Sequence, residues 1–100
     1  METINKIKKW VLDRNLNTQN PKIQMCKVVE ELGELATGIN KNNIEQQKDS
    51  IGDVIVTLVC LSSQLGLDIE ECIELAYEEI KDRKGKLIDG IFVKEDDLNK

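Results

Sequence analysis

Apolar residues recur at helical spacing over most of this chain and predict four helices in succession. Ile4, Ile7 and Val11, with Trp10 beside them, place the first from about Glu2 to Leu16. The segment 15–21 breaks that pattern. Asn20-Pro21 then supplies a capping side chain and a proline suited to a first turn, so a second helix runs on to about Ile39. Gly38 and the polar run Asn40 to Asn43 close it. A third helix is expected from about Ile44 to Leu65, stopped by Gly66. Asp68 with Glu71 reads as a capping box that opens a fourth, lasting to about Lys84. The remainder, Gly85 to Lys100, carries glycines at 85 and 90 and the run Ile91-Phe92-Val93, which suits an extended arm or a short strand.

The third helix is apolar on nearly every side, from Ile51 and Val54 through Val59 and Leu61. Such a helix belongs at the centre of a bundle or at a subunit interface. The connections are short, so sequential helices should pack antiparallel. The fold class is therefore all-α, a four-helix core with a short C-terminal extended arm, in a single domain over residues 1–100. No internal repeat or low-complexity segment interrupts it.

Composition agrees with helices: aromatics are 3% of the 100 residues, there is one proline, and a third of the side chains are charged. A core this small makes self-association a natural way to bury more surface. The net charge of −5 argues against a nonspecific nucleic-acid binder. An acidic protein can still bind phosphates if metal ions sit between the two. Cys26, Cys60 and Cys72 are far apart among apolar neighbours, and there is no histidine, so they read as buried free thiols in a reducing compartment rather than zinc ligands. The polar N-terminus does not resemble a signal peptide, and the longest apolar stretch, Val54 to Leu61, is too short to span a bilayer. A cytoplasmic protein without membrane association is expected.

One acidic constellation stands out. Glu30, Glu31 and Glu34 fall within an arc of roughly 100° on the second helix, with Lys27 on the same face. Cys26, Val29, Leu32, Ala36 and Ile39 take the other side. On the third helix Asp53 interrupts the apolar run, and Asp49 lies one turn before it. Three glutamates on one face are commonly just a solvated surface, and Asp53 alone could be paired with Lys27 or Arg83. An ionised aspartate within an apolar helix still needs a partner or a metal. If the two helices pack antiparallel, Glu31, Glu34 and Asp53 can converge, and their repulsion calls for a cation. Hard oxygen donors without histidine or cysteine select Mg²⁺ or Mn²⁺.

These residues also carry a family resemblance. Glu30-Glu31-Leu32-Gly33-Glu34 resembles the EExxE element of the all-α nucleoside triphosphate pyrophosphohydrolases, the MazG and dimeric dUTPase superfamily. Ser50-Ile51-Gly52-Asp53 resembles its second element, ExxD, and the likeness covers nearly the whole chain. Asp13-Arg14-Asn15, the Asp-Ser-Ile-Gly-Asp stretch and Lys81 to Lys86 are similar to compact MazG-like proteins of phages and their Gram-positive hosts. One position departs: the family's second element begins with glutamate where this chain has Ser50, and Asp49 points roughly 100° away from it around the helix.

The resemblance implies cleavage of a (d)NTP between the α- and β-phosphates, giving monophosphate and pyrophosphate. It implies Glu31, Glu34 and Asp53, with Asp49 adjacent, as Mg²⁺ ligands, Mn²⁺ being an alternative. Glu30 is then a candidate to take a proton from water or to bind a second ion. Lys27 faces the same way, and Lys81, Arg83, Lys84 and Lys86 stand where the family puts phosphate-binding cations; such a basic run also suits a helix C-terminus with no ligand. Trp10, Tyr77 and Phe92 are the rings that could stack on a base, although a small domain needs large side chains for its core. Asn15 and Asn17 could bond a base edge or simply serve a turn. A homodimer or homotetramer is expected. The competing reading, favoured by Ser50, is a non-catalytic helical interaction module that keeps the fold.

Overall fold

A computed structural model describes residues 1–98. Helix α1 (Glu2–Asp13) turns one stripe inward and buries Ile4 and Val11. It stops short of Leu16 because Asn15 adopts a left-handed backbone, φ 58°, which asparagine tolerates better than most residues. A single 3-10 turn follows (Leu16–Thr18), and the Thr18 hydroxyl donates to the Asn15 carbonyl at 2.7 Å. Helix α2 (Pro21–Asn40) opens as expected: Asn20 Oδ1 accepts from the Lys22 N–H at 2.9 Å, with proline in the first turn.

Gly38 does not end α2. It is buried inside the helix, where a Cβ would meet Gln46 Cγ at 3.1 Å and the Gln47 backbone nitrogen at 3.3 Å. The glycine therefore admits the start of helix α3 (Ile44–Gln64) close against the end of α2. Asn43 caps α3 by accepting from the Gln46 N–H at 3.1 Å. Gly66, at φ 72°, closes it, with Leu67 N–H bonded to the Ser62 carbonyl at 2.8 Å and Gly66 N–H to that of Ser63 at 3.1 Å.

Helices α2 and α3 are antiparallel, and glutamine side chains bridge them. Gln24 Nε2 donates to the Thr57 carbonyl at 3.1 Å, Gln46 Nε2 to that of Glu34 at 2.9 Å, and Gln47 Nε2 to that of Gly38 at 3.2 Å. Helix α1 and the 3-10 turn pack on α3 as well. Val11 and Val59 are the most completely buried large side chains. Each contributes about 1.5–3 kcal/mol by leaving water. Lys8 fastens α1 to the segment after α3 through Asp68 at 2.7 Å and Glu70 at 2.9 Å, and the N-terminal ammonium adds Glu70 at 2.9 Å.

Helix α4 (Ile69–Ile80) starts on Asp68, whose Oδ1 accepts from the Glu70 N–H at 3.1 Å. Among the described residues Glu71 takes no part in that cap, so the expected capping box is a one-sided one. The chain divides into two compact units, residues 1–70 and the part from Glu71 onward. In the second, α4 ends at Ile80 rather than near Lys84, because the chain must turn into strand β1 (Gly85–Ile88). Strand β2 (Ile91–Lys94) pairs with it antiparallel, Gly85 opposite Lys94 and Ile88 opposite Ile91. Asp89 and Gly90 both have positive φ, the two-residue turn that matches strand twist. A Cβ at Gly85 would collide with the Val93 carbonyl, so that position has room only for glycine. One turn of helix, α5 (Glu95–Leu98), leads away from the hairpin.

The chain is all-α, with the extended arm formed as this hairpin. The third helix, expected to be enclosed, is only partly so: Val59 and Cys60 are buried, while Ile51, Ile55 and Leu58 are exposed. Val29, Leu32 and Ile39 of α2 are exposed too. The reason is geometric, since each helix turns one stripe to its neighbours and leaves its other apolar face exposed among the described residues. The same reason corrects the cysteines: Cys60 is buried, and Cys26 and Cys72 are exposed. Among the described residues no single helix is long and apolar enough to cross a membrane.

Candidate active site

Two turns of α2 and two of α3 carry the acidic side chains. Glu31 is half-buried at the seam between the helices, and Glu30 and Glu34 are exposed beside it. From α3 come Asp53, half-buried, and Asp49, exposed. Burial first, and then the charges of Asp53, Glu34, Asp49 and Glu30, hold the Glu31 carboxyl protonated to higher pH than a free glutamate. The carboxylates of the two helices therefore act on one another through space. Asp53 forms no ion pair with Lys27 among the described residues. Lys27 instead lies close enough to Cys60 for its charge to oppose the upward push that burial gives that thiol.

Ser50 sits in the same seam and is only 3% exposed. The Gln24–Thr57 and Gln46–Glu34 bridges set the register of the two helices, and interpolation between them places Ser50 level with Glu31. The position where the resemblance expects glutamate is thus a tight helix–helix contact beside the acidic group.

As they stand, no three His, Cys, Asp or Glu side chains among the described residues are gathered tightly enough to hold an ion. The donor set nevertheless fits a hard divalent cation. It is all carboxylate oxygen, and the repulsion felt at Glu31 is the kind that a cation relieves. Between the ordinary 4.5 and its raised value, Glu31 is protonated in the folded chain and ionised in the unfolded one. Its contribution to metal-free stability is therefore present below that window and lost as pH rises through it. A cation needs the ionised form, so millimolar Mg²⁺ should raise the melting temperature more at about pH 8 than at about pH 5. Thermal melting with and without the ion checks this; a Mg²⁺ effect that does not grow with pH counts against Glu31 as a ligand.

The remaining candidates lie elsewhere. The Trp10 ring is covered by its own neighbour, with the Arg14 guanidinium carbon 4.3 Å from the ring centroid. Asn15 serves the turn after α1, and Asn17 lies within the 3-10 turn. Trp10, Tyr77 and Phe92 are all exposed, so none is a core residue within the chain. Tyr77, Lys81, Arg83, Lys84 and Lys86 belong to the second unit. There Lys81 pairs with Glu78 at 2.6 Å and Arg83 with Glu79 at 3.4 Å, so two of the basic side chains neutralise carboxylates of the helix just before them. The bridging glutamines 24, 46 and 47 escaped the sequence reading; a polar residue recurring at helical spacing toward a partner helix was the available signal.

Both acidic elements lie within a match to a known family. The MazG nucleotide pyrophosphohydrolase domain matches residues 19–88, which contain both of them. The chain is 43% identical over 68 residues to an uncharacterized 18.2 kDa protein in the rep-hol intergenic region of Haemophilus phage HP1, covering 67% of this chain and 42% of that protein. It is 37% identical over 62 residues to the uncharacterized protein YpjD of Bacillus subtilis, covering 52% of this chain and 56% of that one. The chain thus spans about half the length of the curated relatives it matches. No solved structure matches it. With the family's domain covering most of the chain on an all-α scaffold, this protein belongs to the MazG nucleotide pyrophosphohydrolase family.

Proposed function

We propose that this chain is a Mg²⁺-dependent nucleoside triphosphate pyrophosphohydrolase, one functional domain that converts a (d)NTP to a (d)NMP and pyrophosphate. The observation that carries the reading is Glu31, half-buried and under the charges of four other carboxylates from two helices. Glu31, Glu34 and Asp53, with Asp49 beside them, would hold Mg²⁺; Mn²⁺ has the same ligand chemistry. When bound, the ion offsets the charge of the triphosphate and of the transition state. Glu30, exposed beside Glu31, takes the proton of the attacking water. The water oxygen bonds to the α-phosphorus, the α–β bridging P–O bond breaks, and pyrophosphate leaves. Lys27 offers its ammonium to a phosphate oxygen from the same face of α2. Lys84 and Lys86, with Lys81 and Arg83 once released from their glutamates, are further phosphate partners. Such substrates place the protein in the cytoplasm. Product analysis tests the reading: purified protein, Mg²⁺ and a panel of standard and modified (d)NTPs should yield pyrophosphate and monophosphate in equal amounts.

A second reading, a non-catalytic helical module, is favoured by Ser50 in place of a carboxylate. Mg²⁺ that stabilises the fold with no triphosphate cleaved would select it.

The active unit is proposed to be a homodimer or homotetramer. The exposed faces carrying Val29, Leu32 and Ile39 on α2 and Ile51, Ile55 and Leu58 on α3 are too apolar for a lone chain. A second copy is the simplest cover for them. Size-exclusion chromatography with light scattering should give a multiple of 11.4 kDa, and a clean monomer refutes the assembly.

A further inference from the structure

The seam between α2 and α3 advances by three- and four-residue steps on both helices. Glu31, Leu35 and Gly38 from α2, and Gln46, Ser50 and Asp53 from α3, are each buried or half-buried along it. The carboxylates argued above to hold Mg²⁺ are thus divided between two helices. How close they come is decided by the level and spacing of one helix against the other. Three bonds fix both at the corner where α2 gives way to α3. Gln46 Nε2 donates to the Glu34 carbonyl at 2.9 Å, and Gln47 Nε2 to the Gly38 carbonyl at 3.2 Å. The Asn43 N–H donates to that same Gly38 carbonyl at 2.9 Å.

The bond from Gln46 differs from an ordinary helix cap. Glu34 lies inside α2, where the helix's own ladder already engages its carbonyl. What the Gln46 amide adds is a fixed place for the Glu34 backbone against α3. Gly38 makes room for it. A Cβ at 38 would stand 3.1 Å from Gln46 Cγ and 3.3 Å from the Gln47 backbone nitrogen. The side-chain carbon could swing aside, but the backbone nitrogen yields only if the start of α3 moves. This notch lies close to the carboxylates on both helices. Glu34 is four residues before Gly38, about 6 Å of helix rise, and Asp49 is three residues after Gln46, about 4.5 Å.

We propose that Gln46, seated against Gly38, is a positioning residue of the metal site: by holding the Glu34 backbone it sets the separation of Glu34 from Asp49 and Asp53, and with it the affinity for Mg²⁺. The inference rests on the reading of those carboxylates as Mg²⁺ ligands and adds the part of the fold that spaces them. Gln46 acts through Glu34 and not on the ion or the substrate. Groups that orient metal ligands without touching the metal commonly govern its affinity.

The test is calorimetric titration of Mg²⁺ into wild type and Gln46→Met, which keeps the length of the side chain and loses its donor. The affinity of the variant should fall about tenfold. Gly38→Ala reaches the same contact from α2 and should fall similarly, and the double variant no further, since both changes remove one contact. Val11→Ala, which opens the core on α1, should lose stability and bind Mg²⁺ as wild type does. In turnover, Gln46→Met should need about tenfold more Mg²⁺ for half-maximal pyrophosphate release, with the rate at saturating Mg²⁺ close to wild type. An affinity that Gln46→Met leaves unmoved overturns the positioning role, and if that variant fails to fold, Gly38→Ala decides in the same way. A Val11→Ala variant weakened as much as the other two also overturns it, because general loosening then explains the loss. Both results leave the carboxylates standing as Mg²⁺ ligands. If wild type binds no Mg²⁺, the metal reading and this one fall together.

Discussion

In Asp53→Asn, the pyrophosphate release proposed for this chain should fall by about 10²–10³ while the chain still folds. The substitution keeps the shape of a half-buried side chain and removes one charge. After burial, Asp53 is the largest influence on the Glu31 carboxyl, so the variant separates charge from packing at the seam. Two readouts accompany the loss. Without metal, the Glu31 carboxyl should move down toward its ordinary value, seen by NMR titration. The melting response to Mg²⁺ should shrink, because an amide is a weaker ligand than a carboxylate. Undiminished release from the variant would remove Asp53 from the site. Glu31→Gln is expected to behave alike, whereas Glu30→Gln should slow release and leave the Mg²⁺ response nearly intact.

Ser50→Glu, which restores the residue expected from the family pattern, should destabilise this protein rather than improve it. Position 50 is 3% exposed and level with Glu31, in a seam that glutamine bridges hold close. A carboxylate forced in there is buried without a partner, beside a Glu31 carboxyl whose ionisation burial and the neighbouring charges already disfavour. An uncompensated buried charge costs about 3–5 kcal/mol. Small domains have roughly 5–15 kcal/mol in total, so much of the stability would go. Denaturant melts without metal should show the loss, and saturating Mg²⁺ should return part of it. Ser50→Ala, which changes no charge, should stay within about 1 kcal/mol of wild type. If Ser50→Glu is as stable as wild type without metal, the seam is looser than the bridges imply.

Much of the fold was legible because its signals are local. Asn20-Pro21 opens α2, Asn43 lies at the start of α3 and Gly66 ends it, each through bonds within a few residues. The acidic stripe was legible for the same reason, since helical periodicity alone places Glu31 and Glu34 on one face with Lys27. Other features were not local. Gly38 read as a helix stop, yet its role is to admit Gln46, a residue of the next helix. Trp10 read as a stacking surface or a core residue, and Arg14 covers it from one turn away. The cysteines read alike in their apolar surroundings, and only Cys60 faces inward.

By itself, then, the sequence determined the helices, the Asn20-Pro21 start of α2, the Gly66 stop of α3 and which carboxylates of one helix share a face, because period and capping chemistry act over one or two turns. Only the tertiary structure decided the register of α2 against α3. That register sets Ser50 beside Glu31 and brings Asp53 and Asp49 to bear on it. These depend on side chains bridging helices far apart in the chain, and periodicity along one helix carries no information about its level against another.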